Sequence, residues 1–336
     1  MRRIQVLAVL VALAFGFWNA SWAVPPSGIA VEKVITPKEG LSNASVLAIA
    51  VGPEYVFIGT KRYLTVLKKD GSMMIWTPKN SALKFHSIPA LVLRGTQLWA
   101  TCRSPVAAGG TFRWDGLQWE AFEEIKDDMV SNYISCFHVD DRNMVWIGSE
   151  DQGINYYVHE TNQFRKFGVL SSKKGLIDNR ITCMASRPGE LWIGTLSGVS
   201  VYKGRDGEND LFTNFVKKDG LLNEHIVALA AAPARVYAGT TTGLMVYENG
   251  NWRAMGPESG LADSWITSLA LDGSDLWIGT KKGLQLMRKD RIEPVMDFRD
   301  GFPSNQIQCL AVGKQSDGVV KVFAGTPKGL VILRHQ

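Results

Sequence analysis

The sequence is short of the residues that most often announce chemistry. Its 336 residues include only four cysteines and five histidines. Cys102, Cys136, Cys183 and Cys309 form no C-x-x-C pair and no zinc-type spacing. His86, His138, His159, His225 and His335 are scattered without ligand spacing. Acidic residues are spread through turns, so there is no D-x-D-x-D calcium loop, and no G-x-S-x-G nucleophile elbow occurs. These absences leave no metal, no cofactor and no catalytic constellation to expect, and nothing supports a cofactor-dependent dehydrogenase. An excess of one charge is lacking as well. Removing Arg2 and Arg3 from 37 basic residues leaves a net charge of about +3 against 32 acids, too little for a nucleic-acid surface. Helical periodicity is missing throughout, and after Trp18 no segment is apolar enough to span a bilayer.

The first 23 residues carry the one pronounced apolar run. Arg2 and Arg3 precede a stretch from Ile4 to Trp18, and Ser21-Trp22-Ala23 is a small-x-small cleavage site. This is the pattern of a secretory signal, and the stretch of about fifteen residues is short for a membrane span of roughly twenty. The mature chain, 24–336, is expected to be soluble and periplasmic or extracellular, with no membrane span.

What is abundant is repetition. A strand ending in Gly-Thr or a variant occurs seven times: VFIGT at 56–60, LWAT at 98–101, VWIGS at 145–149, LWIGT at 191–195, VYAGT at 236–240, LWIGT at 276–280 and VFAGT at 322–326. With alanine read in the glycine's place in the second, the key position falls at 59, 100, 148, 194, 239, 279 and 325. Spacings of 40 to 48 residues fit a four-stranded propeller blade. Each unit offers a short apolar strand, the Gly-Thr strand, a tight turn such as Lys281-Lys282-Gly283, a third strand, and a fourth ending in an aromatic or aliphatic residue. A return loop of the form Gly-Leu-x-x-Asn follows, as in Gly175 to Asn179 and Gly220 to Glu224. The first two strands are nearly continuously apolar, as befits sheets covered on both faces. The expected fold is all-β, a single seven-bladed β-propeller over 24–336.

The ends of the chain complement each other. The seventh unit stops after Gly329 to Leu333, without a fourth strand, while Ala30 to Ile35 resembles a fourth strand with no blade before it. Pairing the two closes the ring and removes two open sheet edges.

The LWIGT strands, the Gly-Thr-x-x-Gly-Leu turns and the Gly-Leu-x-x-Asn loops together resemble the two-component-regulator propeller repeat, over essentially all of 28–336. That family's propellers often form periplasmic sensors of membrane-spanning hybrid kinases, and several recognise oligosaccharides. The 336 residues hold no sandwich, membrane-spanning or kinase module, so the expectation is a propeller that does not signal alone. Function read from fold remains analogy.

Aligning the units puts Ala48, Ala90, Cys136, Cys183, Ala228, Ser268 and Cys309 in one first-strand slot. All are small, so these cysteines read as fillers, with a Cys102–Cys136 pairing as the alternative. Trp99, Trp146, Trp192 and Trp277 share a second-strand position with Phe57, Tyr237 and Phe323, which reads as packing between blades. His138 reads as a core residue with its polar atoms satisfied.

In a propeller the fourth-to-first loops and the second-to-third turns open on one face. The residues just before the first strands are Ser45, Ser87, Tyr133, Arg180, His225, Trp265 and Gln306, flanked by His86, Asn132, Asn179, Glu224 and Asn305. They differ from blade to blade where the positions before them repeat. Tyr133, Asn179, Arg180, Glu224, His225, Trp265 and Gln306 are therefore the candidate ligand-binding set. Hydrogen-bonding groups with two aromatics suit a polar small molecule or a sugar. Lys61, Arg62, Arg103, Lys281, Lys282 and Lys328 add a basic rim facing Glu150 and Asp151. The longer turn from Cys102 to Gly110 could lean over the pore or meet a partner. The expected protein is an exported, monomeric, non-catalytic propeller binding a polar or anionic saccharide or a protein. The alternative is a propeller lyase or hydrolase with its active site in the funnel.

Overall fold

The computed structural model describes residues 28–168, 175–206 and 209–335; the expected signal segment 1–23 lies outside them. Seven four-stranded antiparallel sheets stand around an axis as blades. Their first strands, beginning at Val46, Ser87, Ile134, Ile181, Ile226, Ile266 and Cys309, touch in turn, and that of blade seven returns to blade one. The N-terminal strand Ile29–Ile35 is the outer strand of blade seven. It runs antiparallel to Gly329–His335, with Ile35 opposite Leu330 and Val31 opposite Leu333. The closure expected from the two chain ends is therefore present.

The shared second-strand aromatics pack between blades. Trp99, Trp146, Trp192 and Trp277 are almost wholly buried. Trp192 lies 4.9 Å from the Tyr247 ring of blade five, and Trp146 lies 5.5 Å from the Tyr202 ring of blade four. Such pairs add about 0.5–1.5 kcal/mol each beyond the area they bury.

The glycine of Gly-Thr is there because the next blade leaves no room. A Cβ on Gly194 would lie 2.5 Å from the Cys183 sulfur and 2.8 Å from Ile226 of blade five. On Gly239 it would lie 2.5 Å from Ile266 of blade six. The threonine that follows ties the turn, Thr195 Oγ1 donating to the Gly198 carbonyl at 2.8 Å and Thr240 Oγ1 to that of Gly243 at 2.9 Å. Cys136, Cys183 and Cys309 face these glycines across the sheet, at Gly148, Gly194 and Gly325. All four thiols are free, and burial pushes those of Cys136 and Cys309 up to about 12, with Cys183 moved the same way.

Blade two corrects the alignment. Ala90 pairs with Thr101, as Cys183 pairs with Gly194, so Thr101 and not Ala100 holds the glycine position. Thr101 also makes the turn bond itself, its Oγ1 donating to the Gly110 carbonyl at 2.8 Å. Cys102 is left in a bulge between Thr101 and Arg103. There its buried sulfur accepts the Phe85 N–H at 3.3 Å. The sequence Ala-Thr looked like Gly-Thr because one residue performs both tasks.

Candidate functional site

Six of the seven residues that precede a first strand are delivered by the same device. The side chain two positions earlier accepts their backbone N–H: Asn43 for Ser45 at 3.0 Å, Ser131 for Tyr133 at 2.9 Å, Asp178 for Arg180 at 2.9 Å. Asn223 does so for His225 at 2.9 Å, Asp263 for Trp265 at 3.1 Å and Ser304 for Gln306 at 3.2 Å. These local turns are what Asn, Asp and Ser provide best. The capping residue is shared while the presented side chain varies.

What those side chains meet differs around the ring. Arg180 lies back on Asp178 through two bonds, of 3.0 and 2.7 Å, and Asp178 also accepts the Ser197 hydroxyl at 2.6 Å. The Arg180 guanidinium holds the Asp178 carboxyl down at about 2. Glu224 accepts the Lys217 N–H at 3.0 Å and so caps its own return loop. Asn179 accepts the Gly153 N–H through its carbonyl at 2.9 Å. Tyr133 and Trp265 are about half exposed, and His225 and Gln306 are exposed. The Lys281 ammonium lies 3.0 Å from the centre of the Trp265 ring. Ser45 turns inward, its hydroxyl 3.1 Å from the Gln308 amide of blade seven.

The basic rim is equally uneven. Arg103 is ion-paired to Glu150 of blade three, and the Arg62 guanidinium sits 5.5 Å from the centre of the Tyr63 ring. Lys61, Lys282 and Lys328 are exposed and have no side-chain partner among the described residues. The long turn of blade two extends its second and third strands as a hairpin, with Ser104 paired to Ala107.

Blades one and two hold a pocket of about 500 Å³ on this face. Lys61 forms one wall, Arg103, Ser104 and Pro105 of the hairpin another, and Lys84, Phe85, His86 and Ser87 the floor between them. Lys84 is ion-paired to Glu123. Ser87, alone among the seven, has no capped turn before it and is itself the first residue of its strand, because the residue two positions earlier is Phe85, whose side chain accepts no hydrogen bond. At the pocket's edge stands Tyr63, in the turn position that is glycine in every other blade. It has φ 79°, beside 142° at Gly283 and 133° at Gly198. A bulky side chain in that region costs of order 1–3 kcal/mol and persists only where its surroundings impose it. Here they do. The Tyr63 N–H donates to the His86 carbonyl at 2.5 Å, and the two rings meet edge to face at 5.0 Å. Lys61 was recognisable in the sequence as a rim residue; Tyr63 was not, although its replacement of a turn glycine was visible there.

On the channel wall the His138 Nε2 lies 2.8 Å from the Ser186 hydroxyl. Burial lowers His138 to about 4, so the ring is neutral. Among the described residues no carboxylate is hydrogen-bonded to it: Asp140 instead accepts the Trp146 indole N–H at 2.9 Å and the Arg142 and Met144 backbone N–H groups. The pair joins blades three and four. Among the described residues no group of three or more His, Cys, Asp and Glu side chains is placed to hold a metal ion, and no helix is long and apolar enough to cross a membrane.

No family model matches the chain, and no curated protein matches it in sequence. Solved structures match it in fold. The extracellular domain of a protein described as a hybrid two-component system of B. thetaiotaomicron superposes with a TM-score of 0.73 at 14% identity, over 93% of this chain and 42% of that one. PorZ, a surface component of the type-IX secretion system of Porphyromonas gingivalis, gives 0.63 at 14% identity, over 92% and 38%. Virginiamycin B lyase of Staphylococcus aureus gives 0.65 at 11% identity, over 91% and 99%. The chain thus spans less than half the length of the first two. Its fold is that of the propellers in two-component extracellular domains, as the repeats implied.

Proposed function

We propose that this is an exported, non-catalytic binding propeller whose funnel face seats a polar, anionic ligand, an acidic saccharide in the first instance. The pocket between blades one and two is its anchor. The observation that carries the reading is Tyr63, held left-handed at the edge of a pocket with Lys61 and Arg103 in its walls and His86 in its floor. Strain of that kind gathers at binding sites, where function keeps what stability would discard. Lys61 supplies an uncommitted cation, His86 and Ser87 supply hydrogen bonds, and the Arg103 guanidinium offers the donors that Glu150 leaves. Around the rim, Trp265 with Lys281, then Tyr133, Asn179, Arg180, Glu224, His225 and Gln306, would hold a longer glycan. Arg62, Lys282 and Lys328 would act through charge alone. The extracellular setting of the two-component neighbour supports export past a signal in 1–23.

Calorimetry against acidic and neutral oligosaccharides tests this. Tyr63→Gly is the decisive variant: it relieves the backbone, so the melting temperature holds or rises, while binding of the acidic sugars falls. Trp265→Ala should cost about 1–3 kcal/mol at every salt concentration, as truncated stacking platforms do. Lys281→Ala with Lys282→Ala should cost roughly 0.2–1 kcal/mol each, and chiefly at low salt. Binding untouched by Tyr63→Gly and Lys61→Ala removes the pocket from the site. A panel that binds nowhere shifts the reading to a protein partner.

A further inference from the structure

The same two blades hold a second concavity at the opposite end of the ring. It has a volume of about 390 Å³ and is built from the first-to-second-strand turns at Gly52–Tyr55 and Gly95–Thr96 and the third-to-fourth-strand turn at Asp115–Leu117. That size is at the lower end for small-molecule sites. Its walls are aromatic and aliphatic. Tyr55 is 5.9 Å from Phe57 and Phe57 is 6.0 Å from Trp114, while Leu93 and Leu117 complete the lining. Tyr55, the first residue of its strand, is 38% exposed, and Leu117, in a turn, is 95% exposed.

The charge of this lining is of one sign. Glu54 and Asp115 belong to it, and no lysine, arginine or histidine does. Glu54 has no side-chain partner among the described residues. Asp115 uses one oxygen, Oδ1, to accept the Leu117 and Gln118 backbone N–H groups at 2.8 and 2.9 Å. Those bonds, Gln118 first, hold its carboxyl below the usual carboxylate range, so it is charged at neutral pH. Its other oxygen is uncommitted. Aromatic faces beside unpaired carboxylates are the chemistry that recognises an organic ammonium, through the ring quadrupole and the opposite charge together.

We propose that this pocket binds a small organic cation, a quaternary or protonated amine with an apolar body, seated among Tyr55, Trp114, Glu54 and Asp115. It faces away from the funnel and is independent of the anionic site.

Choline and benzyltrimethylammonium are the probes, and 3,3-dimethylbutanol is the neutral isostere of choline. Titration calorimetry and saturation-transfer NMR on the whole protein should show saturable binding of both cations, with the isostere about tenfold weaker or worse. Tyr55→Ala should weaken binding roughly fivefold, the loss of one half-exposed cation–ring contact. Glu54→Gln with Asp115→Asn alters only exposed groups, so the fold is kept, and it should weaken the cations while leaving the isostere unchanged. Failure of both cations to bind overturns the proposal. So does an isostere that binds as well as choline, or cation binding that survives the loss of both carboxylates.

Discussion

Blade two and blade five are built on one plan, and they differ in how strictly they keep it. Blade five has the glycine slot, the threonine tie, a glycine in the turn and the capped return loop, and its seam with blade six is tight at the slot, where a Cβ on Gly239 would lie 2.5 Å from Ile266, while a pocket of about 590 Å³ opens between the two blades only at the end away from the Gly-Thr turns. Blade two has threonine in the slot, a bulged cysteine, a long hairpin and no capped turn before Ser87. Its seam with blade one opens into a pocket at each end. Regularity in a propeller closes a seam at the slot, though not at its far end. The pocket on the Gly-Thr turn face appears where several exceptions fall on the same pair of blades.

That comparison presumes a closed ring, and the largest test removes the closure. Deleting 24–36 strips the outer strand from blade seven and exposes an edge, and is expected to abolish cooperative thermal unfolding or solubility. A soluble deletion with an unchanged melt would show that the seams hold the ring without it.

The slot itself can be exchanged between blades. Gly194→Thr imposes blade two's residue on a regular seam, where Cys183 and Ile226 crowd it, and should cost about 3 kcal/mol in denaturant unfolding. Thr101→Gly should cost less, about 1–2 kcal/mol, for the lost bond to Gly110 and the added chain entropy. Equal costs would mean that the slot is not what distinguishes the blades.

A further difference lies in pH. His138 at the blade three–four seam has its folded pKa lowered from 6.5 to about 4. Between those values the unfolded chain takes up a proton that the folded one refuses. Stability from this group is therefore complete above about pH 6.5 and is lost as pH falls towards 4, with a slope of about one proton. His138→Gln should flatten that slope, and an unchanged slope would assign it to carboxylates instead. The smallest expected effect is on the thiols. Alkylation of the native protein should label none of the four, and of the unfolded, unreduced protein all four, slots and bulge alike.

Most of the architecture could be read from the sequence because a repeat is evidence presented seven times. The two chain ends announced the closure, and the repeats announced which turns each blade contributes. Blade two was misread by one residue, since Thr101 does the work of two and periodicity averages over such a case. Tyr63 stood in plain view as an aromatic in a glycine turn, but its meaning depends on His86, which another blade provides. The aromatic concavity needs Glu54, Gly95 and Asp115, from three turns that only the ring brings together.

The pairing of Ile29–Ile35 with Gly329–His335 also sets a timetable. Ile29–Ile35 is made before the six blades that follow it and Gly329–His335 after them, so nothing the ribosome delivers in between can complete blade seven. Hairpins within blades are local and fast, whereas this contact spans nearly the whole chain and must overcome the entropy of closing that loop. Six blades can form as the chain emerges, each with a finished sheet. The seventh is a deadline, and until it is met the newborn protein carries an open edge that a protease or a second copy can find before Ile29–Ile35 does.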